Sequence, residues 1–512
     1  MPKRNPWIYV PSLYFAQGLP YTIVTMMSAV YLKDLGASNE VIGLTSILQL
    51  PWTLKFIWAP LVDFLGLKKT WIVVAQFILV ALIALLAASV LAPDPLKMGI
   101  VVLGLIALVS STHDNAIDGY YLEVLNKAQQ ALFVGVVNTS YRMAMIFGTG
   151  ALITLAGVLT PSLGKLNAWS CSFAILSFVL LSLFALHKWY LPDTLRAHKA
   201  EREQDAVSKL AVSKLEKALA VQDQTLVGAV NAPGKRESHL DKNPFSGRTD
   251  SSKRSPHNHL LDNNALSDEY LPLSKTNDFP DADSEDCSST PRESLCFRSY
   301  LSAISSYFSQ PGAIAIVVYI LLFRMGDAMA MKMIPPFLQD PISKGGLGLS
   351  VEKVGTIYGT VGVCFLLIGG IAGGYLVSRF GLRKLFWPTT LVMNSTILGY
   401  FLLASLHPSG AWWIYVVNSL EQFGYGFGMA SYTVFMLSTV KQEYKAAHYA
   451  VATALMALGI LGPSMISGFA YKEFGYANFF LLSFLLTIPG MVSLCFLPVW
   501  EKQTGSAGVH RA

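Results

Sequence analysis

Apolar runs long enough to cross a bilayer recur along this chain, and nothing in it constrains folding more. They fall near residues 7–32, 41–62, 71–91, 98–121, 131–159, 168–190, 311–338, 353–377, 385–406, 411–440, 446–470 and 476–499. A helix of roughly 20 such residues covers a ~30 Å hydrocarbon core. Inside that core no water satisfies backbone N–H and C=O groups, so only helices and closed barrels span it. Barrel strands run to about ten residues and alternate in polarity; these runs do neither. Charged residues make up 14% of the 512 residues, against roughly 25% in soluble proteins. The sequence predicts an all-α integral membrane protein of twelve spans.

Against that background the ionisable residues inside the runs stand out. They are Lys55, His113, Asp114, Asp118, Arg142, Arg324, Asp327, Lys332 and Glu421. Each costs at least ~3 kcal/mol near the bilayer centre. The densest group is His113-Asp114-x3-Asp118, which continues the run 98–109 without a break. Asp114 and Asp118 are four apart and share a helix face. Their mutual repulsion is expected to hold at least one proton near neutral pH. His113, with an ordinary pKa of ~6.5, could relay protons, or serve as a hydrogen-bonded packing residue.

The spans fall into two sets of six, divided by a polar stretch. Residues 1–191 and 311–500 form the two six-helix units. Residues 192–310 form a largely disordered cytoplasmic linker, and residues 501–512 a cytoplasmic tail. The linker is rich in Ser, Asp, Asn, Pro and Lys, which bury too little apolar area to fold. The two sets echo each other. Asp63-Phe-Leu-Gly66-Leu-Lys68-Lys69 follows the second span, and Ser378-Arg379-Phe-Gly381-Leu-Arg383-Lys384 follows the eighth. Short segments on one side hold twelve Lys or Arg residues and those on the other hold six. The positive-inside rule then places both termini in the cytoplasm. The basic N-terminus leads into a long run without a small-residue cleavage site, so the first span is expected to be retained. The five cysteines show no paired or metal-ligand spacing, and no metal or cofactor is expected.

The Asp-x-x-Gly-x-Lys-Lys turn, placed after the second span and echoed after the eighth, resembles the loop motif of the major facilitator superfamily. That resemblance implies a twelve-span fold whose halves are related by a pseudo-two-fold axis. In it the first, fourth, seventh and tenth helices line a cavity, and the third, sixth, ninth and twelfth support them. The charges agree: none lies in the interior of those four supporting spans. Further strings narrow the likeness: Tyr14-Phe-Ala-Gln17-Gly18-Leu-Pro20, Leu54-Lys55-Phe-Ile-Trp58-Ala-Pro60, His113-Asp114-Asn-Ala-Ile-Asp118-Gly, and Gly135 leading to Ser140-Tyr141-Arg142. Together they resemble the AmpG-like muropeptide permease branch, in the peptide, acetyl-coenzyme A and drug transporter family. One position departs from that pattern, with His113 where a Gln is usual.

The resemblance implies proton-coupled uptake of anhydromuropeptides across the inner membrane, with lipid, cargo and protons as partners, no nucleic acid, and a monomeric chain. Acetyl-coenzyme A and amphipathic drugs are the alternative cargoes. Proton coupling is expected of Asp114, Asp118 and His113; for the two carboxylates, a structural ion pair with Lys55 or Arg142 is the competing reading. Arg142 and Arg324 suit anionic groups of a cargo, although Arg324 and Asp327 are three apart and could pair together. Tyr14, Gln17, Tyr141, Glu421 and Gln422 offer polar contacts, to cargo or within the bundle. Gating falls to Lys55, Asp63, Gly66, Lys68 and Lys69, and to Arg379, Gly381, Arg383 and Lys384. Two other classes are open. A membrane acyltransferase could use His113 and Asp118, though the five-residue offset sets them about 140° apart on a helix. A transport-fold sensor could signal through the linker. The chain has no Gly-x4-Gly-Lys-Ser/Thr motif, which argues against ATP drive.

Overall fold

With no water to bond to, each backbone N–H in hydrocarbon must find its carbonyl within its own segment. The chain meets that demand in a computed structural model that describes residues 4–58, 62, 67–192, 304–441 and 445–497, all helix and connecting turns. Before residue 192 the α-helices are α1 (Pro6–Thr22), α2 (Ser28–Asp34), α3 (Asn39–Leu44), α4 (Leu50–Leu54), α5 (Lys68–Ser89), α6 (Pro95–Val124), α7 (Lys127–Met145), α8 (Ile153–Leu163) and α9 (Lys165–Tyr190). After residue 304 come α10 (Ala313–Phe323), α11 (Met325–Gln339), α12 (Val351–Val354), α13 (Gly362–Phe380), α14 (Leu382–Ser395), α15 (Ile397–Leu406), α16 (Trp412–Ser438), α17 (Lys445–Leu485) and α18 (Ile488–Ser493). Residues 193–303 of the expected linker, the C-terminal tail, Asp63 and Gly66 lie outside the described residues; residues 304–308, expected within the linker, are helical and bury Tyr307.

Helix starts follow from local sequence. Asn5 and Asp94 accept hydrogen bonds from backbone N–H groups of α1 and α6, with Pro at the first helical position of each. Asn126 and Gln129 close a reciprocal capping box on α7. Gly381, at φ 82°, turns the chain between α13 and α14, a conformation open to glycine at little cost. Gly475, at φ 68°, likewise kinks α17.

Eight stretches of the described residues are long and apolar enough to cross a membrane: Lys68–Ser89, Pro95–Val124, Ala128–Leu163, Lys165–Tyr190, Ala313–Gln339, Val351–Phe380, Leu382–Leu406 and His448–Phe496. The last takes in two of the expected runs. The first, second and tenth expected spans have a different character. A π-helical turn, Ile23–Met27, interrupts the first. The second breaks into α3, α4 and two 3-10 turns. The tenth, α16, buries Asn418, Glu421 and Gln422. Breaks in the helix shorten the first two, and inward-facing polar side chains lower the mean apolarity of the tenth. On the outside, Phe178, Ile314 and Ile371 stand exposed, an apolar surface suited to lipid.

Glycines set the closest approaches between the N-terminal and C-terminal helices. A Cβ on Gly359 would strike the Thr149 backbone, one on Gly355 would lie 2.6 Å from Thr154 N, and one on Gly157 would strike Glu352. Two further π-helical turns, Ile146–Leu152 and Gly355–Val361, meet at this seam. A second connection lies beyond α2 and α11. Lys33 Nζ is 2.6 Å from Asp340 Oδ1 and donates to Asn39 Oδ1 at 2.7 Å. Tyr476 donates to Asp340 Oδ2 at 2.5 Å, and Asn39 Nδ2 donates to Asp340 and Tyr476 at 3.2 and 2.9 Å. This buried network ties the two sets of helices together at the end away from Lys55.

Gly→Ala changes separate seam glycines from free ones. Gly374 has nothing within 4 Å of its missing Cβ, so Gly374→Ala should gain about 0.5–1 kcal/mol of helix propensity and raise the melting temperature slightly. Gly359→Ala should lower it, because overpacking costs about 1–3 kcal/mol. Thermal melts in detergent distinguish the two.

Candidate functional site

Two polar centres occupy the interior, one holding the expected proton-coupling aspartates and one holding several of the expected cargo residues. The first is built on α1, α4 and α6. The 3-10 turn after α4 begins at Lys55 and delivers its ammonium to α6. There it pairs with Asp114 and lies 3.7 Å from Asp118 Oδ2. Gln17 Nε2 donates to Asp114, and Tyr14 donates its hydroxyl hydrogen to Asp118 Oδ1 at 3.3 Å. Asn115 Nδ2 reaches back to the Lys55 carbonyl at 3.3 Å, fixing the turn. Asp118 and Asp114 therefore do share a face, as their spacing predicts. Of the two candidate bases, Lys55 is the partner. Asp114 is enclosed, at 14% side-chain exposure, while Asp118 keeps 47%. Asp118 is the more exposed of the two acids.

His113 is not part of this group. It is fully buried, and neither ring nitrogen has a hydrogen-bond partner among the described residues. One residue along an α-helix turns a side chain by about 100°, which takes His113 off the Asp114 face. It stands on the buried side with Ser110, Ile117 and Tyr120. Among the described residues no hydrogen bond joins His113 to Asp118.

The second centre is a cavity of about 300 Å³ between the N-terminal and C-terminal helices. Tyr21, Thr25, Gln49, Tyr141 and Arg142 line one side; Arg324, Lys332, Tyr358, Gln422 and Tyr425 line the other. No residue of α6 lines it, so the two carboxylates sit apart from it, joined through α1. Each π-helical turn flanks this space: Thr25 lies in one, Tyr358 in another, and Met145 adjoins the third. Such turns widen a helix and re-aim its side chains. Asn418 Nδ2 donates to the Ile357 carbonyl at 2.9 Å, a second bond beside the one that carbonyl accepts from Gly362 N–H.

Arg324 occupies the break between α10 and α11. Its Nε and Nη2 both meet Asp327 Oδ2, at 2.9 and 2.6 Å, and its guanidinium lies 5.1 Å from the Tyr425 ring centroid. The i,i+3 pairing read from the sequence is thus formed. Arg142 Nη1 meets Met145 Sδ at 3.2 Å. Glu421 is buried and accepts from Gln422 Nε2 at 2.8 Å; Gln422 faces the cavity. Lys332 counted in the sequence only as an intramembrane charge, yet it lines the cavity.

Among the expected gating residues, Lys68 pairs with Glu123 at 2.7 Å, closing the end of α6 against the start of α5. Arg379 lies 5.9 Å from the Phe380 ring centroid at the end of α13. Gly381 makes the turn that follows, and Arg383 and Lys384 begin α14. Lys69 sits beside Lys68 in the first turn of α5.

A bundle of apolar helices around an internal polar cavity, without strands among the described residues, defines an integral membrane transporter. The chain belongs to the major facilitator superfamily, whose family model matches residues 12–323 and 316–509. Similar curated proteins include the anhydromuropeptide permease of Escherichia coli, 20% identical over 94% of this chain and 77% of that one. Putative transporter AmpG 1 of Rickettsia prowazekii is 22% identical over 96% and 98%. An uncharacterised protein of Haemophilus influenzae is 23% identical over 97% and 95%. Its relatives thus include the AmpG-like branch. Among solved structures, the nucleoside transporter NupG matches with TM-score 0.59 at 12% identity, over 96% of this chain and 99% of that one. A POT family transporter in complex with a thioalcohol-conjugated peptide matches with TM-score 0.59 at 9% identity, over 95% of each.

Removing Lys55 leaves two carboxylates facing each other. A fully buried broken pair costs about 3–5 kcal/mol and an exposed one about 0–1. Lys55 is 33% exposed, so Lys55→Met should cost an intermediate amount, about 1–3 kcal/mol. Adding Asp114→Asn should recover most of it, since one carboxylate then remains. A double-mutant cycle read by thermal melting checks both.

Proposed function

We propose that this chain takes up anhydromuropeptides across the cytoplasmic membrane, driven by protons and working by alternating access. The observation that carries the reading is the pairing of two carboxylates with one ammonium at Lys55, Asp114 and Asp118, joined through α1 to a cavity lined by Arg142, Arg324 and Lys332. One ammonium cannot balance two carboxylates. A proton on Asp118, the more exposed acid, balances the second. Its Tyr14 contact gives α1 a direct link to that proton, and Tyr21 on the same helix line faces the cargo space. Protonation at Asp118 and cargo binding in the cavity therefore act on one element.

The basic cavity suits the carboxylates of a muropeptide, with Tyr141, Gln422 and Tyr425 meeting sugar hydroxyls and amides. The likeness to the anhydromuropeptide permease supports that cargo over acetyl-coenzyme A and amphipathic drugs. Lys68, Arg379, Gly381, Arg383 and Lys384 lie at helix starts and ends, where relative movement of the helices would be felt; both termini are assigned to the same cytoplasmic side. Asp114, held by Lys55 and Gln17, positions the group, and His113 is left as a packing residue.

With the membrane potential held at zero, a proton moving inward down one pH unit supplies ~1.4 kcal/mol, or roughly tenfold accumulation whatever the charge of the cargo. Vesicles holding the wild-type chain should concentrate labelled anhydromuropeptide by that order, and an uncoupler should abolish it. Asp118→Asn should bind cargo and equilibrate it without concentrating it. Undiminished, gradient-driven accumulation by Asp118→Asn would remove Asp118 from the mechanism.

A further inference from the structure

The charges around the cavity do not balance, and the imbalance is local. Arg324, Arg142 and Lys332 line it, and no Asp or Glu does. Asp327 neutralises Arg324 through two contacts, both side chains being buried. Arg142 has no carboxylate within ion-pair distance among the described residues; its polar contact is with Met145 Sδ. Lys332 is 8% exposed, and its ammonium donates to Thr45 Oγ1 at 3.1 Å. Thr45 spends its own hydroxyl hydrogen on the Ile42 carbonyl at 2.7 Å, so it can only accept from Lys332. A single neutral acceptor meets one of the three hydrogens that an ammonium offers. A buried cation is seldom left so without a complementary charge.

We propose that Lys332 is a specificity-determining residue that takes one anionic group of the cargo, while Arg142 takes a second. The two come from opposite sides of the cavity, Arg142 from α7 and Lys332 from α11. A cargo with two separated carboxylates bridges the N-terminal and C-terminal helices, and a cargo with one or none does not. Thr45 acts as the resting acceptor, holding the ammonium in place until a carboxylate replaces it. The contact also crosses the two sets of helices, since Thr45 precedes α4 and Lys332 lies in α11. This assignment rests on the transporter reading above and narrows its cargo to a dianion.

The test uses the purified full-length chain and two probes, N-acetyl-Ala-Glu-Glu-amide with its two carboxylates and the uncharged N-acetyl-Ala-Gln-Gln-amide, with labelled anhydromuropeptide for uptake. The acidic peptide should raise the melting temperature of the wild type and of Lys332→Arg, and the uncharged one should not. Lys332→Gln should lose that stabilisation. Its KM for anhydromuropeptide should rise about tenfold or more, as expected on losing a charge-assisted hydrogen bond, with the maximal rate changed less. Equal stabilisation of Lys332→Gln and wild type overturns the assignment. So does wild-type protein that responds to neither peptide or equally to both. A structural role for Lys332 would instead lower the melting temperature of Lys332→Gln without any peptide and spare the difference between probes. If the acidic peptide stabilises the wild type but anhydromuropeptide is not carried, the muropeptide reading falls and the charge assignment stands.

Discussion

A charge placed among hydrocarbon side chains is costly unless an opposite charge or hydrogen-bond partner meets it, and that cost organises the interior of this transporter. Lys55 sits against Asp114 and Asp118, Arg324 against Asp327, and Lys33 against Asp340. Each pair fixes a place where the chain leaves regular helix. Lys55 begins a 3-10 turn, Arg324 marks the break between α10 and α11, and Asp340 caps the end of α11. The irregular segments are thus where backbone and side-chain polarity are satisfied together. Long regular helices such as α5 and α9 can then face lipid without charges in their interiors.

Much of this architecture is legible in the sequence, because apolar length and intruding charge are both linear signals. The runs 71–91 and 98–121 appear as α5 and α6, and the aspartates at 114 and 118 share the face their spacing predicts. The partner of those aspartates is less legible. Lys55 and Arg142 are equally plausible from depth alone, and only the packing of α4 against α6 decides for Lys55. His113 shows the opposite failure. It neighbours Asp114 in sequence, but helix rotation separates the two chemically.

The π-helical turns and the cavity they flank leave no comparable trace. A π-turn depends on what packs against it: here Ile146–Leu152 and Gly355–Val361 meet each other, and Asn418 donates to a carbonyl within the second. Those conditions come from distant parts of the chain. Lys332 is visible as a charge in the seventh run, yet its lack of an acidic partner among the described residues is a property of the folded interior. The glycines of the eighth run come between these cases: they are visible in the sequence, while the free Cβ direction at Gly374 and the blocked one at Gly359 follow from three-dimensional placement.

The seals at the two contact regions differ in what can replace them. The seam at Gly355 and Gly359 is made of backbone and small side chains in direct contact, and water has no comparable role there. The network of Lys33, Asn39, Asp340 and Tyr476 is made almost wholly of hydrogen bonds. Water can take over each of those bonds in turn, so wetting that end costs far less than the number of bonds suggests. Wetting there would loosen one contact between the two sets of helices and leave the glycine contacts untouched.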